Sequence, residues 1–291
     1  MRGLVIKSTG TSYGVYFEDG TTADCHVKGN FRIRGIRSTN PVAIGDHVEV
    51  TQLEDGTNWI TELYDRKNYI IRRSTNLSYA SHILAANIDM AALIVTINHP
   101  KTSTTFIDRF LATCEAYRVP ACLIFNKIDL LSDEELQTLA QLRQLYESLG
   151  YPTYAISALD LASSPDHLTS ASPLSSIFNN RITLLSGNSG VGKSSLVNAL
   201  AGEEIMSVSA IREDDSKGRH TTTHRQLIRL KSGVMIIDTP GMRELGMWDV
   251  SEGLGDAFAD VEKHIGKCRF SDCRHEREPG CAIRAAIATG E

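Results

Sequence analysis

Two patterns of apolar and polar positions divide the chain. Up to about residue 72 it carries short alternating runs separated by turns, and beyond that longer apolar runs alternate with amphipathic ones. In the first part Val15-Tyr16-Phe17 runs into Asp19-Gly20. His47-Val48-Glu49-Val50 alternates after the turn-rich Asn40-Pro41-Val42-Ala43-Ile44-Gly45-Asp46, and Asp55-Gly56 marks a second hairpin. Aspartate–glycine pairs supply the left-handed backbone that tight hairpins need. Several short strands in about seventy residues predict a small barrel of the OB type.

Asn68 to Ser81 reads as a join, and the pattern beyond it is strand–helix–strand. Met90 to Ile97 predicts a buried strand. Thr104 to Tyr117 predicts a helix with Phe106, Phe110 and Leu111 on one face. Ala121 to Phe125 is a second buried strand, and Ser132 should cap a helix from Asp133 to Leu149 that Gly150 stops. A further strand, Thr153 to Ile156, precedes a linker rich in Ser, Pro and Asn from Leu161 to Asn180, ending in a short helix around Leu174 to Phe178. Ile182 to Leu185 and Val234 to Ile237 predict more strands, and Ala282 to Thr289 a last helix. The expected class is an α/β domain at 73–246, preceded by a barrel at 1–72 and followed by a small unit at 247–291.

Composition adds bounds. The 291 residues are 42% hydrophobic and 22% charged, ordinary for a soluble globular protein. No apolar run approaches membrane-spanning length, and Met1-Arg2-Gly3-Leu4 leads into strand-like sequence rather than a signal peptide. The expectation is a cytoplasmic protein without a membrane partner. A net charge of -5 argues against a wholesale nucleic-acid coat but leaves room for local basic patches. Lys28, Arg32, Arg34 and Arg37 gather around Phe31 with no intervening acid, which suits RNA stacking and phosphate contact, or a solvated loop.

The chemistry starts at Gly187-Asn188-Ser189-Gly190-Val191-Gly192-Lys193-Ser194, between a strand and a helix that opens with Ser195. Glycines let successive backbone N–H groups turn inward around a phosphate, and the helix N-terminus adds its positive dipole end. Lys193 then reaches the β- and γ-phosphates and the Ser194 hydroxyl holds Mg2+. The loop predicts a bound nucleotide.

Asn126-Lys127-Ile128-Asp129 closes the second buried strand, where open α/β sheets place ligand-binding groups. The Asp129 carboxylate accepts from the guanine ring N–H and exocyclic amine, a donor pair adenine lacks. The Lys127 stem lies along the base, and Asn126 ties this loop to the phosphate loop. Ser157-Ala158 ends the next strand, where a backbone N–H meets the guanine carbonyl oxygen. Asp238-Thr239-Pro240-Gly241 ends the last strand, with Asp238 directed at Mg2+ and Gly241 a hinge toward the γ-phosphate. A P-loop ATPase or kinase would require the Asn126 to Asp129 run to be a chance match.

A second signal is Cys268-x4-Cys273-x-His275-x5-Cys281, which matches a closed Cys3His zinc site, tetrahedral and structural. Lys263, Lys267, Arg269, Arg274 and Arg277 surround it and offer another RNA-facing surface. Cys25, Cys114 and Cys122 read as small core residues.

The nucleotide motifs are those of GTPases in a permuted order: N-K-x-D and S-A first, then the phosphate loop, then D-T-P-G. Together with the flanking parts, the chain resembles the circularly permuted, ribosome-small-subunit-dependent GTPases of the RsgA (YjeQ/YloQ) type almost end to end. The resemblance implies an N-terminal OB-fold that engages the ribosome, GTP and GDP as ligands, and Mg2+ and one structural Zn2+ as cofactors. It implies binding of the small (30S) subunit and its rRNA, in late maturation and with subunit-stimulated turnover. A monomer is expected.

Switch I should lie within Glu213 to Thr223, a polar, loop-like stretch suited to an order–disorder switch. The resemblance favours Thr222 to complete the Mg2+ shell. Many GTPases place glutamine after D-x-x-G to orient the attacking water; here it is Met242, which implies low intrinsic turnover. His220 is the candidate water-positioning group, against the reading of a plain surface histidine. Glu244-Leu245-Gly246 leads from switch II directly into the zinc unit, so a γ-phosphate-dependent shift should move that unit relative to the barrel. A rival function is an RNA-binding adaptor with the nucleotide as slow timer. Leu159 stands where many GTPases carry lysine, and relatives are expected to extend beyond the last helix.

Overall fold

A computed structural model describes residues 1–9, 12–27, 41–73, 81–163, 174–206, 227–238, 263–264, 266–270, 273 and 275–289. Strands β1 (Arg2–Ser8), β2 (Tyr13–Phe17), β3 (Thr22–Val27), β4 (His47–Gln52) and β5 (Asn58–Leu63) form a closed barrel in the order β1-β2-β3-β5-β4. All its pairs are antiparallel except β3 with β5. This is the five-stranded OB-type barrel that the short alternating strands predict. The alternation explains the closure: Val5, Val15, Cys25, Val48, Val50 and Ile60 point inward and are buried, while their neighbours face outward. The basic cluster around Phe31 lies outside the described residues.

The expected join contains a hairpin, β6 (Tyr69–Arg73) with β7 (Ser81–Ala86). Its apolar residues Ile70, Leu84 and Ala85 sit in the core of the following domain, so a stretch that looks like a connector is part of the packing. A six-stranded sheet follows in the order β10-β9-β8-β11-β13-β12, with β8 (Met90–Val95), β9 (Ala121–Phe125), β10 (Thr153–Ala155), β11 (Ile182–Ser186), β12 (Leu227–Arg229) and β13 (Met235–Asp238). Only β12, at the edge, runs antiparallel.

The sheet is buried on both faces, as near-continuous apolar strands require. In β8, Ala91, Leu93 and Val95 join one core with helices α1 (Thr104–Ala116) and α2 (Asp133–Ser148). Ala92 and Ile94 join the other, with α3 (Ala158–Ala162), α4 (Ser175–Phe178) and α5 (Lys193–Ala201). Ser132 caps α2 through a complete capping box with Glu135. The end of the polar linker is apolar core, since Leu174, Ile177 and Phe178 are at most 1% exposed. No helix of the described residues is long and apolar enough to cross a membrane.

The barrel is bonded to the α/β domain through its 41–46 turn. Ala86 N–H donates to Ile44 O (2.8 Å) and Asn87 Nδ2 to Gly45 O (2.9 Å), while within the barrel Gly45 N–H donates to Val5 O (2.8 Å). Gly45 has φ +89°, and a Cβ there would run into the Ala86 carbonyl, so the close approach requires glycine. Beneath the turn, Asp46 is fully buried and accepts from the Arg66 guanidinium at 2.6 Å through each carboxylate oxygen, and from the Ala43 N–H at 2.7 Å. Removing one partner of such a pair strands a buried charge. We therefore expect Arg66→Ala to cost about 3–5 kcal/mol of stability, read as a lower denaturation midpoint, with Arg66→Lys losing less.

Candidate functional site

The strand order reverses between β8 and β11, and ligands of open α/β sheets sit beyond the strand C-termini at such a point. The phosphate loop leaves β11 there. Gly187 is buried, Asn188 half-buried, Ser189 and Gly190 exposed, and Val191 is packed in the core beneath. Gly192 turns left-handed (φ +97°) into α5, and a Cβ on it would overlap the Asn126 carboxamide. Ser194 and Ser195 occupy the first turn of α5, both half-buried. The Lys193 ammonium donates to the Gly187 and Asn188 carbonyls, each at 2.8 Å, so it lies folded over the loop that would cradle a phosphate.

Asn126, 3% exposed at the end of β9, joins three loops. Its Nδ2 donates to Val191 O in the phosphate loop (2.8 Å), and its Oδ1 accepts from the Ala158 N–H (3.0 Å). The structure thus engages the Ala158 N–H within the protein, where the sequence assigned a Ser157–Ala158 N–H to guanine. The Ser157 hydroxyl caps α3 by accepting from the Asp160 N–H (3.3 Å). Asp129 lies exposed in the 3-10 turn Ile128–Leu130. Lys127 adopts the left-handed conformation (φ +64°) and donates through Nζ to His99 O at 2.6 Å. The turn that holds it, after β8, carries no named nucleotide motif. The one hint in the sequence is that a polar turn with a proline follows a buried strand on the ligand side of the sheet.

Asp238 ends β13 and pairs with Leu185, one residue before Ser186 and the phosphate loop; its side chain lies outside the described atoms. His220, Thr222, Gly241 and Met242 lie outside the described residues, as do Thr239, Pro240 and Glu244 to Gly246.

The second centre is the Cys268, Cys273, His275 and Cys281 cluster, whose ligand atoms all lie within 4.8 Å of one another. His275 Nδ1 is 3.4 Å from both Cys268 Sγ and Cys281 Sγ. A tetrahedral ion with bonds of about 2.3 Å to sulfur and about 2.0 Å to nitrogen has nitrogen–sulfur edges near this length, so the residues fit a metal. The Ala282 N–H donates to Cys268 Sγ and the Arg284 N–H to Cys281 Sγ, both at 3.4 Å, from the first turn of α6 (Ala282–Thr289). The Ala282 donor holds the Cys268 thiol below its usual range. At Cys281 burial pushes the thiol up, but the Arg284 N–H and the His275 and Cys273 contacts outweigh it and lower it. Burial pushes Cys273 up to about 11. Lys263, Lys267, Arg269 and Arg277 are exposed around the cluster, and Arg274 lies outside the described residues. The remaining cysteines are fully buried: burial pushes Cys25 up to about 11 and Cys122 to about 12, and raises Cys114 as well. They are inert core thiols.

Comparison with known proteins finds two family models and many relatives. A family described as RsgA GTPase matches residues 63–248, and one described as RsgA N-terminal domain matches residues 2–60. The small ribosomal subunit biogenesis GTPase RsgA of Phocaeicola vulgatus is 48% identical over 288 residues, covering 99% of this chain and 91% of that protein. The protein of the same name from Porphyromonas gingivalis is 47% identical over 301 residues, covering 100% and 92%. The crystal structure of YjeQ from Thermotoga maritima aligns with a TM-score of 0.73 at 30% identity, over 99% of this chain and 91% of that one. YloQ, described as a circularly permuted GTPase, aligns at 0.70 with 28% identity, over 99% and 88%.

Asn126→Ala would remove both ties at once. We expect guanine-nucleotide affinity to fall about tenfold to a hundredfold, the equivalent of one or two hydrogen bonds to a buried hub, measured by titration of a fluorescent GDP analogue. For the second centre, a strong chelator is expected to release one metal ion per chain and abolish the order of residues 263–289, while nucleotide affinity stays within about twofold. Proton exchange of the α6 amides and the same titration, run side by side, would check it.

Proposed function

Because the chain belongs to the RsgA GTPase family and is therefore a GTP-hydrolysing enzyme, we propose that it binds the small (30S) ribosomal subunit and acts in its late maturation, with turnover stimulated by the subunit. The names and near-complete coverage of the relatives support the partner. The observation that carries the nucleotide assignment is the Asn126 bridge, because it joins phosphate loop, N-K-x-D turn and Ser157–Ala158 turn as one unit. In this reading Asp129 selects guanine, with the Lys127 stem along the base. Gly187 to Ser195 enclose the phosphates, and Lys193 offsets charge at the β- and γ-phosphates.

Ser194, Thr222 and Asp238 would hold Mg2+, which when bound neutralises charge on the phosphate oxygens. Gly241 hinges switch II, and His220 positions the attacking water in place of the glutamine that Met242 replaces. The Cys3His cluster would hold one structural Zn2+. A sulfur-rich donor set with no open position suits zinc as a staple for a piece too small to bury its own core. Residues 1–72, 73–246 and 247–291 act as barrel, GTPase and zinc units. The two flanking units would grip rRNA through their basic surfaces in the GTP state and loosen after hydrolysis. A cytoplasmic monomer fits this role.

The test is GTP hydrolysis by the purified protein with and without isolated small subunits. A slow basal rate rising by orders of magnitude is expected, and His220→Ala should abolish the rise while leaving GTP binding intact. A rate indifferent to the subunit would sink the proposed partner. Asp129→Asn should shift preference from guanine to xanthine nucleotides by more than about tenfold, measured by competition.

A further inference from the structure

The phosphate loop has a neighbour on each of two sides, and only one of them belongs to a recognised nucleotide motif. On one side stands Asn126. On the other stands the turn after β8, residues 98–102, which shares the reversal point of the sheet with the phosphate loop. Pro100 lies against Gly190, its Cδ 3.5 Å from where a Cβ on that glycine would be. The preceding carbonyl, that of His99, accepts the Lys127 ammonium at 2.6 Å. One turn therefore places its ring beside the phosphate loop and its backbone on the base-side lysine.

The turn is held from below. Thr102 N–H donates to Thr96 O (3.0 Å), Thr96 N–H to Thr102 Oγ1 (3.2 Å), and the Thr96 hydroxyl to Pro100 O. Asn98 Nδ2 donates to Glu135 Oε1 (2.9 Å), tying the turn to the first turn of α2. His99 sits in the left-handed region (φ +59°) with its imidazole exposed. That conformation is one that asparagine tolerates and a β-branched residue resists.

We propose that His99 is a positioning residue for guanine nucleotides: its carbonyl fixes Lys127 along the base, and the turn thereby sets how long a nucleotide is retained. This rests on the nucleotide reading above. A side chain already held by a carbonyl has lost its freedom, so the lysine stem is pre-ordered before the base arrives. What matters of His99 for this is the backbone it permits.

The experiment is displacement of a fluorescent GDP analogue from the intact chain, followed by stopped flow, with no ribosomal subunit present. His99→Val should lower the thermal midpoint by no more than a few degrees, the cost of a β-branched residue at one left-handed position, and raise the dissociation rate about threefold to tenfold, the fraction of a charge-assisted hydrogen bond lost when the carbonyl turns away. His99→Asn should stay within about twofold of the parent protein. In a Lys127→Met background, His99→Val should add nothing, because the two residues act through one contact. An unchanged rate for His99→Val overturns the proposal. So does an equal acceleration in the Lys127→Met background, or the same acceleration for His99→Asn. Failure of the parent protein to bind the analogue at all would instead remove the nucleotide reading beneath it.

Discussion

The site depends on one buried carboxamide. Asn126 has a donor end and an acceptor end, and the fold uses both: Nδ2 for the phosphate loop, Oδ1 for the start of α3. A buried amide with either end unmet would cost more than the bond it makes, so the three loops hold their relative positions together or not at all. Gly192 belongs to the same constraint, because its missing side chain is the space the carboxamide occupies. The phosphate loop, the Asn126–Asp129 turn and the start of α3 all follow parallel strands, and this residue ties their ends.

That arrangement explains why covalent order can be permuted without loss of the site. The strand C-termini converge on one edge of the sheet whichever strand comes first, and the N-K-x-D strand precedes the phosphate loop here only along the chain. The far end of the linker re-enters as Leu174, Ile177 and Phe178, packed under β11, with Thr183 Oγ1 donating to Ile177 O. The barrel is not a loosely tethered attachment either. Its 41–46 turn shares a backbone bond with the end of β7, and Arg229 on β12 lies 4.3 Å over the Tyr16 ring of β2. Barrel and sheet are thus in contact at the edge strand β12 as well.

The zinc-type cluster is held by a different economy. The short segment around it has few buried apolar residues, Cys281, Ile283 and Ala286 among those described, too few for a core of its own. Four candidate ligands drawn within 4.8 Å, with backbone N–H donors on two sulfurs, would put the organising energy into coordination once a metal is bound.

Much of this was legible along the chain. Period-two alternation marked the barrel strands, continuous apolar runs marked the doubly covered sheet, Ser132 marked the start of α2, and the spacing of Cys268, Cys273, His275 and Cys281 marked the metal cluster. Such signals are local, because each depends on residues a few positions apart whose chemistry has one common use. What only the tertiary structure decided are pairings between residues far apart in sequence. The hairpin in the apparent join, the buried Asp46–Arg66 pair, the Ala158 N–H given to Asn126, and Lys127 held by His99 all belong here. A backbone carbonyl carries no sequence signature, so a contact made by one becomes visible only when the chain has brought its partner within reach.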